Sequence, residues 1–297
     1  MSGLHGWLVV DKGLGPTSAQ VVGRLKQALR AAGHGRVKIG HGGTLDPLAT
    51  GVLPVALGEA TKLAGELLNG PKAYRFTVRW GEATETDDAE GAVTATSAVR
   101  PDAAAIRAVL PRFTGAIAQR PPAYSALKVA GRRAHALARA GAAPELPERA
   151  VTIHALDLVD AGPETATFDV RCSKGTYVRS LARDLALALG TVGHVAALRR
   201  TAAGSFTLEQ ARPLDKWLEL VHGAALEQAL LPLTAGLDDI PVLPVDTREA
   251  LALRQGQRLA GPRAKPGRHI ATLGSVPVAL VEVSHDGVRV VRGFNLD

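Results

Sequence analysis

The chain has 297 residues and one cysteine, Cys172, so it can build neither a disulfide framework nor a cysteine-based zinc site. A reducing, cytoplasmic setting fits that usage. No run approaches the roughly 20 apolar residues of a membrane span, and residues 1–11 lack the basic start and long apolar core of a signal peptide. Neither export nor a membrane anchor is expected. The nine histidines are scattered without a short-spaced pair, so no metal centre is expected either. Internal repeats and low-complexity tracts are absent. A glycine-rich stretch near residue 40 lacks Walker spacing, a following Lys-Ser/Thr pair and a surrounding βαβ pattern, which argues against a nucleotide hydrolase.

What is present is a hydrophobic content of 46%, enough for one large domain and a small one. Thirty-five Lys and Arg against 28 Asp and Glu give a formal charge of +7. That surplus favours polyanionic partners, nucleic acid first among them. The same balance occurs in proteins that bind no nucleic acid, so the placement of the charges has to decide.

Residues 7–10 read as a short buried strand closed by a turn at residues 13–16. A helix follows, with Thr17 or Ser18 as N-cap, apolar positions at Val21, Val22, Leu25 and Leu29, and Gly33 as its stop. Residues 40–51 are too irregular for a helix or strand and read as a loop. Between Lys72 and Trp80, Tyr74, Phe76, Val78 and Trp80 alternate with Arg75, Thr77 and Arg79, the pattern of a half-buried strand. Residues 102–113 look helical, 151–159 and 166–172 look like strands, and 176–189 form a helix ended by Gly190. The mixture predicts an α+β fold, with a sheet and helices packed against it.

Residues 121–150 break that regularity. They open on Pro121-Pro122 and carry Lys128, Arg132, Arg133, His135, Arg139 and Arg149 against Glu145 and Glu148, a basic insertion or a solvated excursion. Pro232, Pro241 and Pro244 mark a linker over residues 231–244. Beyond it, residues 269–273, 277–283 and 288–294 are strand-like, with a hairpin turn at His285-Asp286-Gly287. This tail reads as a small β domain or as an edge extension of the main sheet. The division expected is 1–238 and 239–297.

Two stretches carry candidate chemistry. The first is Gly40-His41-Gly42-Gly43-Thr44-Leu45-Asp46-Pro47, where glycines permit close backbone approach and Pro47 restrains Asp46 to an extended conformation. Asp46 is a candidate reacting carboxylate, or a turn-capping Asp. The second is Cys172-Ser173-Lys174-Gly175-Thr176-Tyr177-Val178-Arg179. It places Lys174, Tyr177 and Arg179 at or near a helix N-terminus, suited to a phosphate or carboxylate.

These blocks, with GHGGTLDPLATGVLPVALGEATKL, KAYRFTVRWG, PPAYSALK, SKGTYVRSLARDL and HVAALRRT in that order, resemble the bacterial TruB family of tRNA pseudouridine synthases over about residues 6–215. The resemblance implies a catalytic domain on a mixed, mainly antiparallel sheet with flanking helices, an RNA-clasping insertion at 121–150 and a small PUA-like RNA-binding tail. It implies that Asp46 is the catalytic aspartate, Tyr74 stacks on the target base and Arg179 pairs with Asp46. Tyr177 and Leu198 would line the pocket, and His41 would belong to the loop that extrudes the nucleotide. Asp88 would support Arg179, with Lys12 and Lys174 as further supporting residues. The implied partner is the T-arm of tRNA and the implied target uridine 55, modified by a monomer with no guide RNA. The chain departs from the family pattern at Gly13, where Asp-Lys-Pro is usual, at His135, where Tyr is common, and at Gly42, where Thr commonly follows the His.

Pseudouridine formation breaks the bond from N1 to C1′ and joins C5 to C1′ with no net redox change, so it requires no cofactor. A carboxylate can add to C6, trap C1′ or take a proton from C2′. An arginine in contact range holds a carboxylate's rotamer and favours its charged form. Three alternatives share parts of this pattern: a non-catalytic RNA-binding protein or tRNA chaperone, a carboxylate-based hydrolase of small glycosides, and a guide-RNA-dependent synthase.

Overall fold

The computed structural model describes residues 3–125, 127–129, 131–142, 144, 146–223, 225–237, 240–261 and 263–296, with backbone alone at 128, 133 and 135. The basic side chains of Lys128, Arg133 and His135, the acid Glu145, and the division at residues 238–239 lie outside the described residues.

Among the described residues, ten strands form the main sheet. In chain order they are β1 (Gly6–Lys12), β2 (Ile39–His41), β3 (Ala49–Leu57), β4 (Lys72–Trp80), β5 (Gly115–Gln119), β6 (Arg149–Ala161), β7 (Thr165–Cys172), β8 (Gly193–Ala203), β9 (Phe206–Thr207) and β10 (Arg212–Pro213). The spatial order is β10-β1-β3-β8-β4-β7-β6-β5, with β2 paired to β3 and β9 to β8. Only the pairs β1/β10 and β3/β8 are parallel, so the sheet is mixed and mainly antiparallel.

Sequence patterning explains which half of the sheet is covered on both faces. The unbroken apolar run of β1 sends Leu8 and Val10 into one core layer and Trp7 and Val9 into another. Strand β3 divides in the same way, with Leu53 and Val55 on one side and Val52 and Ala56 on the other. Alternation, by contrast, leaves Arg75 and Arg79 of β4 exposed while Phe76, Val78 and Trp80 are buried. The shared layer is roofed by α1 (Ser18–Ala31), α2 (Val178–Ala188) and α3 (Leu214–Val221), through Leu25 and Leu29, Leu181 and Leu185, and Trp217.

Helix α1 begins at a Thr17 capping box, and Gly33 follows it in the left-handed region. Helix α2 starts at Val178, two residues later than its periodicity suggests, because Gln119 clamps the backbone of Tyr177 outside the helix.

Two expectations are corrected. The glycine-rich segment 40–51 is not all loop, since Ile39–His41 and Ala49–Leu57 are strands and only residues 42–48 run free of the ladder. Gly51 belongs to the sheet because its left-handed backbone crosses against Arg200, whose carbonyl oxygen fills the space a Cβ would need. Nor do residues 231–237, at the start of the expected linker, run loose. Leu231 bridges Trp7, whose indole donates to the Leu233 carbonyl at 3.0 Å, and Leu233 and Leu237 are buried in the second core layer. Pro232 leads directly into a short 3-10 helix, Leu233–Gly236, packed against Trp7.

The tail forms its own sheet. Among the described residues, β11 (Val242–Pro244), β12 (Leu259–Ala260), β13 (Gly267–Leu273), β14 (Val276–Ser284) and β15 (Gly287–Gly293) are arranged β11-β13-β14-β15-β12. His285 and Asp286 form the two-residue turn between β14 and β15. Phe294, Ile270 and Leu280 join Trp7 and Phe206 in the second layer, so this sheet covers the back of β1 and β3. Lys62 donates to the Gly293 carbonyl at 2.8 Å, and Glu59 accepts the Asn295 amide at 2.8 Å.

Residues 121–148 are an expansion of the turn between the paired strands β5 and β6, where Arg149 sits opposite Gln119. Arg132, Arg139 and Arg149 are exposed. No helix among the described residues is long and apolar enough to cross a membrane.

Replacing Gly51 by alanine forces a Cβ into the Arg200 backbone at a left-handed position. The variant is expected to lose about 2–4 kcal/mol of unfolding free energy. Urea denaturation measures this, and a loss below ~0.5 kcal/mol contradicts the close approach.

Candidate active site

The loop carrying Asp46 is immobilised through its backbone. Arg200, 1% exposed, donates to the carbonyls of Val52, Thr44 and Gly43 at 2.7, 3.3 and 3.2 Å. Ser18, the first residue of α1, receives the Leu45 amide at 2.8 Å and donates to the Leu45 carbonyl at 3.1 Å. Lys12 is fully buried and donates to the carbonyls of Gly13, Pro16 and Pro47. The turn at Gly13, where the family pattern has Pro, is therefore fastened by the preceding lysine. With its neighbours' carbonyls held, Asp46 has only its side chain to direct.

That side chain meets Arg179 rather than capping a turn. The Asp46 Oδ2 lies 2.9 Å from Arg179 Nη2, and the carboxylate remains 42% exposed to the cavity. Arg179 is the second residue of α2 and is itself buried. It donates to the carbonyls of Thr86 and Tyr124 at 2.9 and 3.0 Å, and its Nη1 stands 3.4 Å from the buried carboxylate of Asp88. Asp88 is fixed in turn by the Glu90 amide and the Thr86 hydroxyl. A buried guanidinium between two carboxylates, with its other N–H groups on backbone carbonyls, has little freedom to turn. Removing one partner of such a pair leaves an uncompensated charge, at about 3–5 kcal/mol.

Asp46, Tyr74, Tyr177, Arg179 and Leu198 line one cavity of about 350 Å³. That volume lies in the range of small-molecule sites and admits a nucleobase. Tyr74 lies on β4 opposite Arg200; burial raises the phenol's pKa and Arg200 opposes the rise. Burial raises the pKa of the Tyr177 phenol as well, and Ser125 opposes the rise. Leu198 pairs with Phe76 of β4 and Ala49 of β3, where the two sheet halves meet.

The other expected residues stand outside the cavity wall. His41 ends β2, and its Nδ1 is buried without a hydrogen-bond partner; burial and the nearby Arg200 lower its pKa, favouring the neutral ring. Lys174 is turned to the Asn69 side chain at 2.9 Å. Asp88 lies behind Arg179 and Lys12 beneath the loop.

Three contributors were missed from sequence. Arg200 and Lys72 line the cavity, and Gln119 holds Tyr177 by both its amide and its carbonyl. Lys72 is buried and donates to the carbonyls of Leu67, Leu68 and Gly70. The signal for Lys72 and Arg200 was their presence inside the quoted blocks. Among the described residues, no cluster of three His, Cys, Asp or Glu is gathered as a metal site.

An open cavity with one arginine-anchored carboxylate and two aromatic side chains has the size and lining to admit a single planar ring beside a carboxylate. The comparisons with known proteins give the class. Residues 26–178 match the model of the TruB family pseudouridylate synthase N-terminal domain, and residues 179–238 match the tRNA pseudouridylate synthase B C-terminal domain. The chain is 56% identical to the tRNA pseudouridine synthase B of Novosphingobium aromaticivorans, over 99% of this chain and 98% of that protein. It is 54% identical to the same-named protein of Zymomonas mobilis, over 98% and 96%. Among solved structures, a Cbf5-Nop10-Gar1 complex matches with a TM-score of 0.78 at 26% identity, over 98% of this chain and 85% of that one. An H/ACA RNP bound to a substrate RNA containing 2′-deoxyuridine matches with a TM-score of 0.77 at 25% identity, over 98% and 85%. The chain belongs to the TruB family of pseudouridylate synthases.

Burial lowers the Lys72 pKa to about 8 from the usual 10.5, so between those values the unfolded chain binds more protons than the folded one. Lys72 therefore makes stability rise with pH from about 8 towards 10.5. Cys172, raised from 9.0 to about 11 by burial, acts in the opposite sense over its own window. The difference between wild type and Lys72→Met in urea melts isolates the lysine: the wild type gains on the variant as pH rises from 8 to 10.5. A constant difference contradicts the desolvated ammonium.

Proposed function

We propose that this chain isomerises uridine to pseudouridine in tRNA, at position 55 in the T-arm, with Asp46 as the reacting carboxylate. The observation that carries the proposal is the Asp46 carboxylate held 2.9 Å from a buried arginine on the wall of a base-sized cavity. Relatives covering nearly the whole chain, named tRNA pseudouridine synthase B, support the substrate.

The reaction is balanced within the nucleotide: the bond from N1 to C1′ breaks, the ring turns, C5 joins C1′, and the proton from C5 is exchanged for one on N1. No redox partner enters. Asp46 acts by adding to C6, trapping C1′ or accepting a proton from C2′, all of which need an ionised carboxylate. Tyr74 stacks on the ring, Tyr177 and Leu198 bound it, and Asp88 holds Arg179. Lys12 braces the loop from below, and Lys174 ties the turn before α2 to Asn69.

The target base has to leave its stack, at roughly a few kcal/mol. His41 lies on the strand leading into the Asp46 loop, on the path of that extrusion. Exposed Arg132, Arg139 and Arg149 of the insertion offset the unstacking through phosphate contacts, as does the 239–297 tail, read as a PUA-like RNA-binding domain appended to the 1–238 catalytic domain. The solved neighbours named for RNP and protein complexes make guide-dependent action the second reading. The basic insertion and compact tail favour a monomer acting alone on tRNA in the cytoplasm.

Purified protein mixed with an unmodified T-arm hairpin is expected to form pseudouridine, read by mass spectrometry, without added guide or partner. Asp46→Asn is expected to bind tRNA as wild type does and form none. Wild-type turnover by that variant sinks the assignment of Asp46, and a strict requirement for a guide overturns stand-alone action.

A further inference from the structure

A second, larger cavity lies away from the reacting carboxylate. It is an open groove of about 950 Å³ between the C-terminal half of α1, the segment after it, β2 and Thr61. Leu29, Val37 and Ile39 form its apolar floor. Lys26 and Arg30 stand on the helix side and Arg36 and Lys38 on the other, and among the described residues no acidic one lines it.

These four cations are exposed, and none has a carboxylate within salt-bridge distance among the described residues. Arg24, on the same helix, does find one in Asp215 at 3.5 Å. The helix dipole accounts for Arg30 in the last turn of α1. It does not account for Arg36 and Lys38, which lie beyond the helix and add like charge to the same groove. Such a cluster opposes itself unless a polyanion occupies it.

The walls are fixed elements rather than a loose surface. The Gly58 amide binds the Lys38 carbonyl at 2.8 Å, and the His34 ring bonds the Val221 carbonyl at 3.1 Å. The groove is also joined to the active site at both ends of its framework. Ser18 at the start of α1 binds Leu45, next to Asp46, and β2 runs from the groove to His41. Lys26 and Arg30 lie eight and twelve residues beyond Ser18 on α1, about 12 and 18 Å along the helix at ~1.5 Å per residue.

We propose that this groove is a second RNA contact, taking backbone phosphates of the tRNA that lie away from the target nucleotide. It rests on the tRNA reading above. Phosphates displace counterions from the four cations, so the contribution is salt-dependent and indifferent to sequence. It holds the substrate and takes no part in bond making.

The test uses the full chain with one cation reversed on each wall, Lys26→Glu with Arg36→Glu, and full-length unmodified tRNA. Affinity is expected to fall on the order of tenfold, and the slope of log K against log salt to shrink by about 1.5. The rate at saturating tRNA is expected to stay at the wild-type value. The neutral pair Lys26→Gln with Arg36→Gln is expected to fall between, and it carries the test should the reversed pair fold poorly. Unchanged affinity and slope overturn the inference, as does a lower saturated rate with unchanged affinity. Wild-type protein assayed alongside separates the two claims: no pseudouridine from wild type defeats the tRNA reading, whereas wild-type turnover with an unaffected variant defeats only the groove.

Discussion

The Arg179 guanidinium, held between Asp46 and Asp88, is the constraint around which the active site is arranged. It joins the loop before β3, the segment before residue 90 and the start of α2, three parts of the chain far apart in sequence. Its burial makes the contact both strong and demanding, because a desolvated guanidinium needs every donor answered. Thr86 and Tyr124 supply carbonyls, and Asp88 supplies the second carboxylate. Among its described partners Asp46 alone lines the cavity, so the network ends on a carboxylate open to whatever the cavity holds.

The sheet gives that network a rigid footing. Strands β1 and β3 are buried on both faces, by the helices on one side and by the tail with the 231–237 segment on the other. Asp46 enters β3 three residues later, at Ala49. The tail is thus packed behind the strand that extends the Asp46 loop, even though its own sheet is separate. Buried cations complete the footing from below. Lys12 and Arg200 act through backbone carbonyls, which fixes the loop's path without competing for the Asp46 carboxylate.

Much of this was legible in sequence where one periodicity governed. The alternation of β4 gave its buried face residue by residue, and Thr17 and Gly33 bracketed α1. Taken by itself Asp46 was ambiguous between capping and catalysis; the ordered blocks around it pointed to an arginine partner, and its side chain does meet Arg179. Legibility failed where tertiary contact overrode local signal. The glycines of 40–51 suggested a loop, yet Gly51 is needed within the ladder for close approach to Arg200. The prolines near 231–244 suggested a linker, yet the Trp7 indole draws that segment into the core. Arg199 and Arg200 look alike in sequence, but the first pairs with Asp11 at the surface while the second is buried under the cavity. Period-two alternation separates their faces without revealing that the inward one has carbonyls waiting for it.

The central claim is that Arg179 acts by fixing Asp46 rather than by binding RNA. It is tested most directly by the single-turnover rate of Arg179→Lys at saturating tRNA, measured together with tRNA affinity. A lysine keeps the charge but cannot span Asp46, Asp88 and two carbonyls with one planar fork. The account predicts a rate lowered about 100-fold or more, with affinity close to wild type. A rate within about threefold of wild type, or a loss confined to affinity, contradicts it.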